Sequence, residues 1–93
     1  MTDDLEYFDG LEAVTLTIGA NAHAIQALRR PLTARMDGGT PIERAAWHVR
    51  VADLGGDAPA PGNLLEVGAE QWNVVETERL SLGARYRLVC ERV

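Results

Sequence analysis

Lysine is absent from this chain of 93 residues, cysteine occurs once, and the aromatic residues are limited to two Trp, two Tyr and one Phe. Each shortage excludes something. The single thiol, Cys90, cannot close a disulfide within the chain, so the stapled framework of small secreted domains is ruled out and a reducing compartment fits. No segment approaches the ~20 apolar residues of a membrane-spanning helix. The acidic start, Met1-Thr2-Asp3-Asp4, lacks the apolar stretch of a signal peptide, so the expectation is a protein made in the cytoplasm and bound to no membrane. With so few rings, the core has to be built from Ala, Val, Leu and Ile around Trp47, Trp72 and Tyr86.

The chain is short enough to be one domain, near the lower limit for a core without staples. An aliphatic core of that size is thin, and burying one face against a neighbour adds ~25 cal/mol per Å². A homo-oligomer is therefore expected. All nine basic residues are Arg, against fourteen acids, for a net charge of −5. Tight duplex binding needs a concentrated basic patch, and here the Arg are interleaved with Glu along the chain, so specific DNA binding is not expected.

Chemistry-bearing constellations are few. His23 and His48 have no spacing that suggests a metal site, no nucleophile elbow accompanies them, and the Gly-rich stretch over 55–62 lacks the Gly-Lys-Ser/Thr ending of a phosphate loop. The paired carboxylates Asp3-Asp4 and Glu76/Glu78 read as a solvated, salt-bridged surface near Arg79, Arg85 and Arg87. Neither enzyme activity, cofactor nor metal is expected.

The pattern along the chain is all-β. Residues 1–12 read as an acidic N-terminal arm around Tyr7-Phe8, and 13–93 as a single barrel domain. Val14-Thr15-Leu16-Thr17-Ile18 alternates as a strand and Gly19 ends it. Residues 31–42, with Asp37-Gly38-Gly39-Thr40-Pro41, read as a long polar loop and a contact arm, which makes Arg35, Met36 and Asp37 partner-contact candidates. Further strands are expected over 45–51, 64–67, 72–80 and 84–92. The loop over 53–62 carries three Gly and two Pro and excludes a helix. A two-residue turn at Ser81-Leu82 would set Glu78 opposite Arg85 and Glu76 opposite Arg87, with a longer loop or a bulge as the alternative, since Leu is unusual in a turn. Trp72, Cys90 and His48 read as ordinary strand residues, the first two inward. Tyr7 and Phe8 are candidate anchors, on a partner subunit or on the chain's own barrel.

Several of these pieces together resemble the small β-barrel proteins of tailed-phage and prophage head-to-tail connectors. They are Tyr7-Phe8-Asp9-Gly10-Leu11-Glu12-Ala13-Val14-Thr15-Leu16, the loop from Ala52-Asp53-Leu54-Gly55-Gly56 to Pro59-Ala60-Pro61-Gly62-Asn63, the Trp72-x-Val74 strand, and the ending Arg85-Tyr86-Arg87-Leu88-Val89-Cys90-Glu91-Arg92. Asn63 stands where that family usually has Asp, which keeps the turn chemistry and loses the charge. The resemblance implies an antiparallel barrel of about six strands. It also implies a strand over 20–30, a segment whose Ala, Gln and Leu content alone would equally favour a helix. As for function, it implies a structural virion protein of the stopper or head-closure kind, at the head-tail interface. Such a protein forms a ring between portal or adaptor and tail proteins, and DNA passes through it without specific binding. A tail terminator on a similar barrel and a stand-alone bacterial β-barrel binding module are the alternatives.

Overall fold

The computed structural model describes residues 10–93. They form six antiparallel strands, β1 (Leu11–Ile18), β2 (Asn21–Asp37), β3 (Thr40–Arg50), β4 (Leu64–Val67), β5 (Glu70–Leu80) and β6 (Arg85–Arg92). The sheet closes on itself in the order β1-β2-β3-β6-β5-β4. The seam is short, with Thr15, Leu16 and Thr17 of β1 opposite Glu66, Leu65 and Leu64 of β4. All-β architecture and strand number agree with the sequence reading, and so does strand rather than helix over 21–30.

Alternation sorts the interior. Val14 and Leu16, Ile25 and Ala27, Ala45, Trp47 and Val49, Leu65, Trp72 and Val74, and Tyr86, Leu88 and Cys90 form one buried cluster. Trp47 and Trp72 are fully buried and meet edge to face, ring centroids 5.9 Å apart. Such a pair adds about 0.5–1.5 kcal/mol beyond its area, a useful supplement in a core otherwise aliphatic. Cys90 sits among them, its Sγ 3.7 Å from the Leu88 carbonyl, and burial pushes its thiol up to about 12, which makes it inert.

Three expectations need correction. Residues 31–42 are not a loop. β2 continues to Asp37 and β3 starts at Thr40, joined by the two-residue turn Gly38-Gly39, whose φ values of 57° and 88° suit the twist of a tight hairpin. The prolines did not break the strands because each lies past the point where its strand loses a second neighbour. β1 pairs β2 only as far as Leu28, before Pro31, and β6 pairs β3 only from Arg44, after Pro41. The second correction concerns the arm boundary, since Leu11 and Glu12 are already paired with Leu28 and Ala27 in β1. Tyr7, Phe8 and the rest of the expected arm lie outside the described residues.

The third is the β5–β6 register. The alternative of a longer loop is what forms: a four-residue connection over 81–84 stands in place of the two-residue turn, so Glu78 faces Arg87 and Leu80 faces Arg85, while a bulge at Val75 puts Glu76 opposite Val89. The longer connection follows from Leu82, which adopts the left-handed region at φ 55° while 95% exposed. The other end of β5 is pinned by the Pro-Gly loop. Asn63 Oδ1 accepts from the Ala60 amide at 2.7 Å, and Gly62 and Asn63 exchange backbone bonds with Val74 beside the bulge. Asn63 thus supplies the turn chemistry expected of it.

Candidate interaction surface

The two ends of the barrel are closed by different chemistry. At the end where β1 begins, Arg29 lies over the Trp47 ring at 4.6 Å and the Trp72 ring at 5.5 Å. Its guanidinium donates to both Glu12 oxygens, at 3.1 and 2.9 Å, and to Glu70 at 3.3 Å, while the Trp72 indole donates to the same Glu70 oxygen at 3.2 Å. A planar cation can satisfy two carboxylates and two ring faces at once, which lysine cannot. This plug is a lid on the core. At the opposite end, a 3-10 turn over Val51–Leu54 drops Leu54 into the core, and Asp57 accepts from Asn21 at 3.0 Å and meets His23 Nε2 at 2.8 Å. The His23 and Asn21 contacts hold the Asp57 carboxyl below its usual value.

Among the described residues, neither end presents an open reactive constellation. Among the described residues no group of three or more His, Cys, Asp or Glu is placed to hold a metal ion, and no helix is long and apolar enough to cross a membrane. A shallow depression of about 650 Å³ beside the seam is lined by Thr15, Gln26, Arg50, Asp53 and Glu66 among small residues. It is open and of mixed charge.

What the fold does present is a projection. Beyond Leu28 and Arg44, β2 and β3 pair only with each other, and this ribbon contributes to a longest dimension of 45 Å against 29 and 24 Å. Two of the three partner-contact candidates it carries are near its tip. Met36 is 62% exposed and stands opposite Pro41, and Asp37 closes the turn opposite Thr40. Arg35 is engaged within the chain, its guanidinium donating to both Glu91 oxygens of β6 at 2.7 and 3.0 Å. This bidentate contact fixes the ribbon to the barrel and, with Arg44 at 3.6 Å, holds the Glu91 carboxyl below its usual value. A bulge between Leu32 and Arg35 marks where the ribbon departs from regular pairing.

The second surface is one that chain order concealed. On β3 and β6 the side chains that alternate away from the core are Arg44, Ala46, His48 and Arg50, and Arg85, Arg87, Val89 and Glu91, with Arg30 on β2 beside them. The residues between these Arg point inward, so folding gathers several Arg on one face, together with Glu91, which Arg35 and Arg44 hold. His48 faces Leu28 on one side and Arg87 on the other. Burial, then Arg85, Arg87 and Arg30, push its imidazole below the usual value. The signal was present as a period-two placement of Arg in both strands.

No family model and no curated protein matches this chain.

Proposed function

We propose that this chain is a non-enzymatic structural subunit of a tailed-phage or prophage head-to-tail connector, of the stopper or head-closure kind, working as a ring between portal or adaptor and tail proteins. The observation that carries this reading is the β2–β3 ribbon, a two-stranded projection from a closed barrel, with Met36 exposed at its tip. A barrel that reaches beyond its own surface on one side has the shape for a head-to-tail contact, in which one subunit's projection meets a different face of the next and rotation closes the ring. The resemblance in the N-terminal segment, the Pro-Gly loop and the last strand supports the same assignment. A net charge of −5 suits a channel through which DNA slides without being held.

Native mass spectrometry of the purified chain, alone and mixed with the portal and tail proteins encoded beside it, tests the proposal. The expected result is a closed oligomer, in at least the mixture, that Met36→Glu dissociates without lowering the melting temperature. A chain that stays monomeric in every mixture overturns the reading.

A further inference from the structure

The outer half of β5 is an open sheet edge. β4 covers β5 only over Glu70–Asn73, and the Pro-Gly loop takes over at Val74, whose N–H donates to the Asn63 carbonyl and whose own carbonyl accepts from the Gly62 amide. From Val75 to Leu80, β6 is the one strand paired with β5 among the described residues, and Glu76, Thr77, Glu78 and Arg79 are all exposed. Alternation says which main-chain groups are left over. Because Val74 bonds away from β6, its partner Cys90 bonds toward β3, and so does Ala84, whose carbonyl accepts from the Val51 amide. Val89, Arg87 and Arg85 therefore bond to Glu76, Glu78 and Leu80, which leaves Thr77 and Arg79 holding their N–H and C=O groups out on the far side. Such a row is a template for an added strand.

The surroundings of the row suit an occupant. A groove of about 400 Å³ lies along it, with Pro61, Val75, Glu76, Thr77 and Glu78 in its walls. Pro61 ends the row with a residue that has no N–H to offer. Past the other end, Leu82 is held in the left-handed region at φ 55° with its side chain 95% exposed, a steric cost that burial within this chain does not offset.

Charge selects the occupant. Glu76 and Glu78 share the outer side of the edge, Glu78 across from Arg87 and Glu76 across from Val89, whereas Arg79 lies on the other side, over the Tyr86 ring and bonded to the Gly83 carbonyl. A second copy's β5 is a poor fit. A two-fold antiparallel pair keeps every residue on its own side of the sheet, and registers centred on residue 76, 77, 78 or 79 set Glu76 against itself, Glu76 against Glu78, Glu78 against itself or Arg79 against itself. A strand with cations at alternate positions meets both carboxylates instead.

We propose that the Val75–Leu80 edge takes an extended segment of another protein, about six residues long, which adds to β5 as a further strand, with Lys or Arg across from Glu76 and Glu78 and an apolar residue over Leu82. The proposal is independent of the connector reading, since the ribbon leaves the barrel at the Arg44 end of β3 and this edge runs toward the Arg50 end.

The probe is the blocked heptapeptide Val-Lys-Val-Lys-Val-Lys-Val at millimolar concentration, with amide exchange of the full chain followed by NMR. The Thr77 and Arg79 amides should become protected, while the Glu78 amide, already bonded to β6, stays as it was. A counterpart with Glu in place of Lys should protect neither, and nor should one N-methylated at alternate residues. Binding should weaken about tenfold in the Glu76→Gln/Glu78→Gln chain, from the loss of two cross-strand charge pairs. It should vanish in Thr77→Pro, which removes an N–H that the barrel does not use; the double Gln variant serves should the Pro chain fail to fold. Met36→Glu should bind the probe as the unaltered chain does. Absence of protection at Thr77 and Arg79, or equal binding of the N-methylated peptide, overturns the proposal. So does protection of these two amides that grows with protein concentration without probe, which would assign the edge to a second copy.

Discussion

β2 and β3 each live in two environments, and the contrast between their halves explains most of the molecule. Over Asn21–Leu28 β2 is paired with β1, over Arg44–Arg50 β3 is paired with β6, residues on the inner side of both are buried, and Trp47 is wholly enclosed. From Pro31 to Asp37 and from Thr40 to Glu43 they have only each other, and of these residues Leu32 and Ile42 alone are even half-buried. The backbone conformation is the same throughout. Pairing makes a strand, whereas flanking strands and inward side chains make a core, and stability belongs to the second.

The sharpest way to break the comparison is to truncate one side chain in each half. Trp47→Ala removes a fully buried ring that meets both Trp72 and Arg29, and the expected loss is about 3–5 kcal/mol of unfolding free energy, as for other large-to-small core changes. Met36→Ala at the ribbon tip should stay within about 0.5 kcal/mol. Urea titration of both variants decides it. Comparable losses would mean that the ribbon is part of the cooperative core.

A smaller change, of opposite sign, is expected at the β5–β6 connection, where the sequence misled about register. Leu82 occupies the left-handed region with its side chain 95% exposed, so its conformation carries a steric cost and gains no burial. Leu82→Gly relieves the strain but loosens the unfolded chain, and Leu82→Asn tolerates the same region with less loss. The Asn variant should therefore gain about 0.5–1 kcal/mol in thermal melting. A loss of that size would show that Leu82 contacts something which the barrel's own strands do not supply.

How much was legible follows from the same contrast. Strands with an apolar face show it in their alternation, so Leu64–Val67 was read to the residue and β1, β3, β5 and β6 were placed with ends displaced by no more than five residues. The ribbon lacks such a face. Its Arg, Thr, Asp, Gly and Pro read as a loop, because a hairpin held mainly by backbone bonds leaves no hydrophobic period. The Arg29 plug was not legible either, since Glu12, Glu70, Trp47 and Trp72 come together only when the barrel closes. The arginine face was written in the sequence with period two, and was missed because charge was weighed by position along the chain instead of by side of the strand.

The finest test concerns what fastens the two halves together. Arg35 and Glu91 form a bidentate contact from ribbon to barrel, and the Arg35 guanidinium beside it is the main reason that the Glu91 carboxyl sits below its usual value of 4.5. A carboxyl lowered in the folded state binds its proton more readily in the unfolded one. The contact's contribution is therefore fully present above the usual carboxylate value and is lost as the pH falls through the lower folded value. Exposed ion pairs contribute too little to move a melting curve usefully. Hydrogen exchange at the ribbon amides is the right measurement, because it reads local opening of the ribbon separately from opening of the core. Protection over 33–37 and 40–43 should be level from pH 7 to 5, after correction for intrinsic exchange, and should fall at lower pH. In Glu91→Gln it should be lower from the outset and flat with pH, while the amides over 45–49 keep full protection. A pH-dependent fall that persists in the Gln variant would show that another carboxylate does the fastening, with Asp37 at the hairpin turn next to be tested.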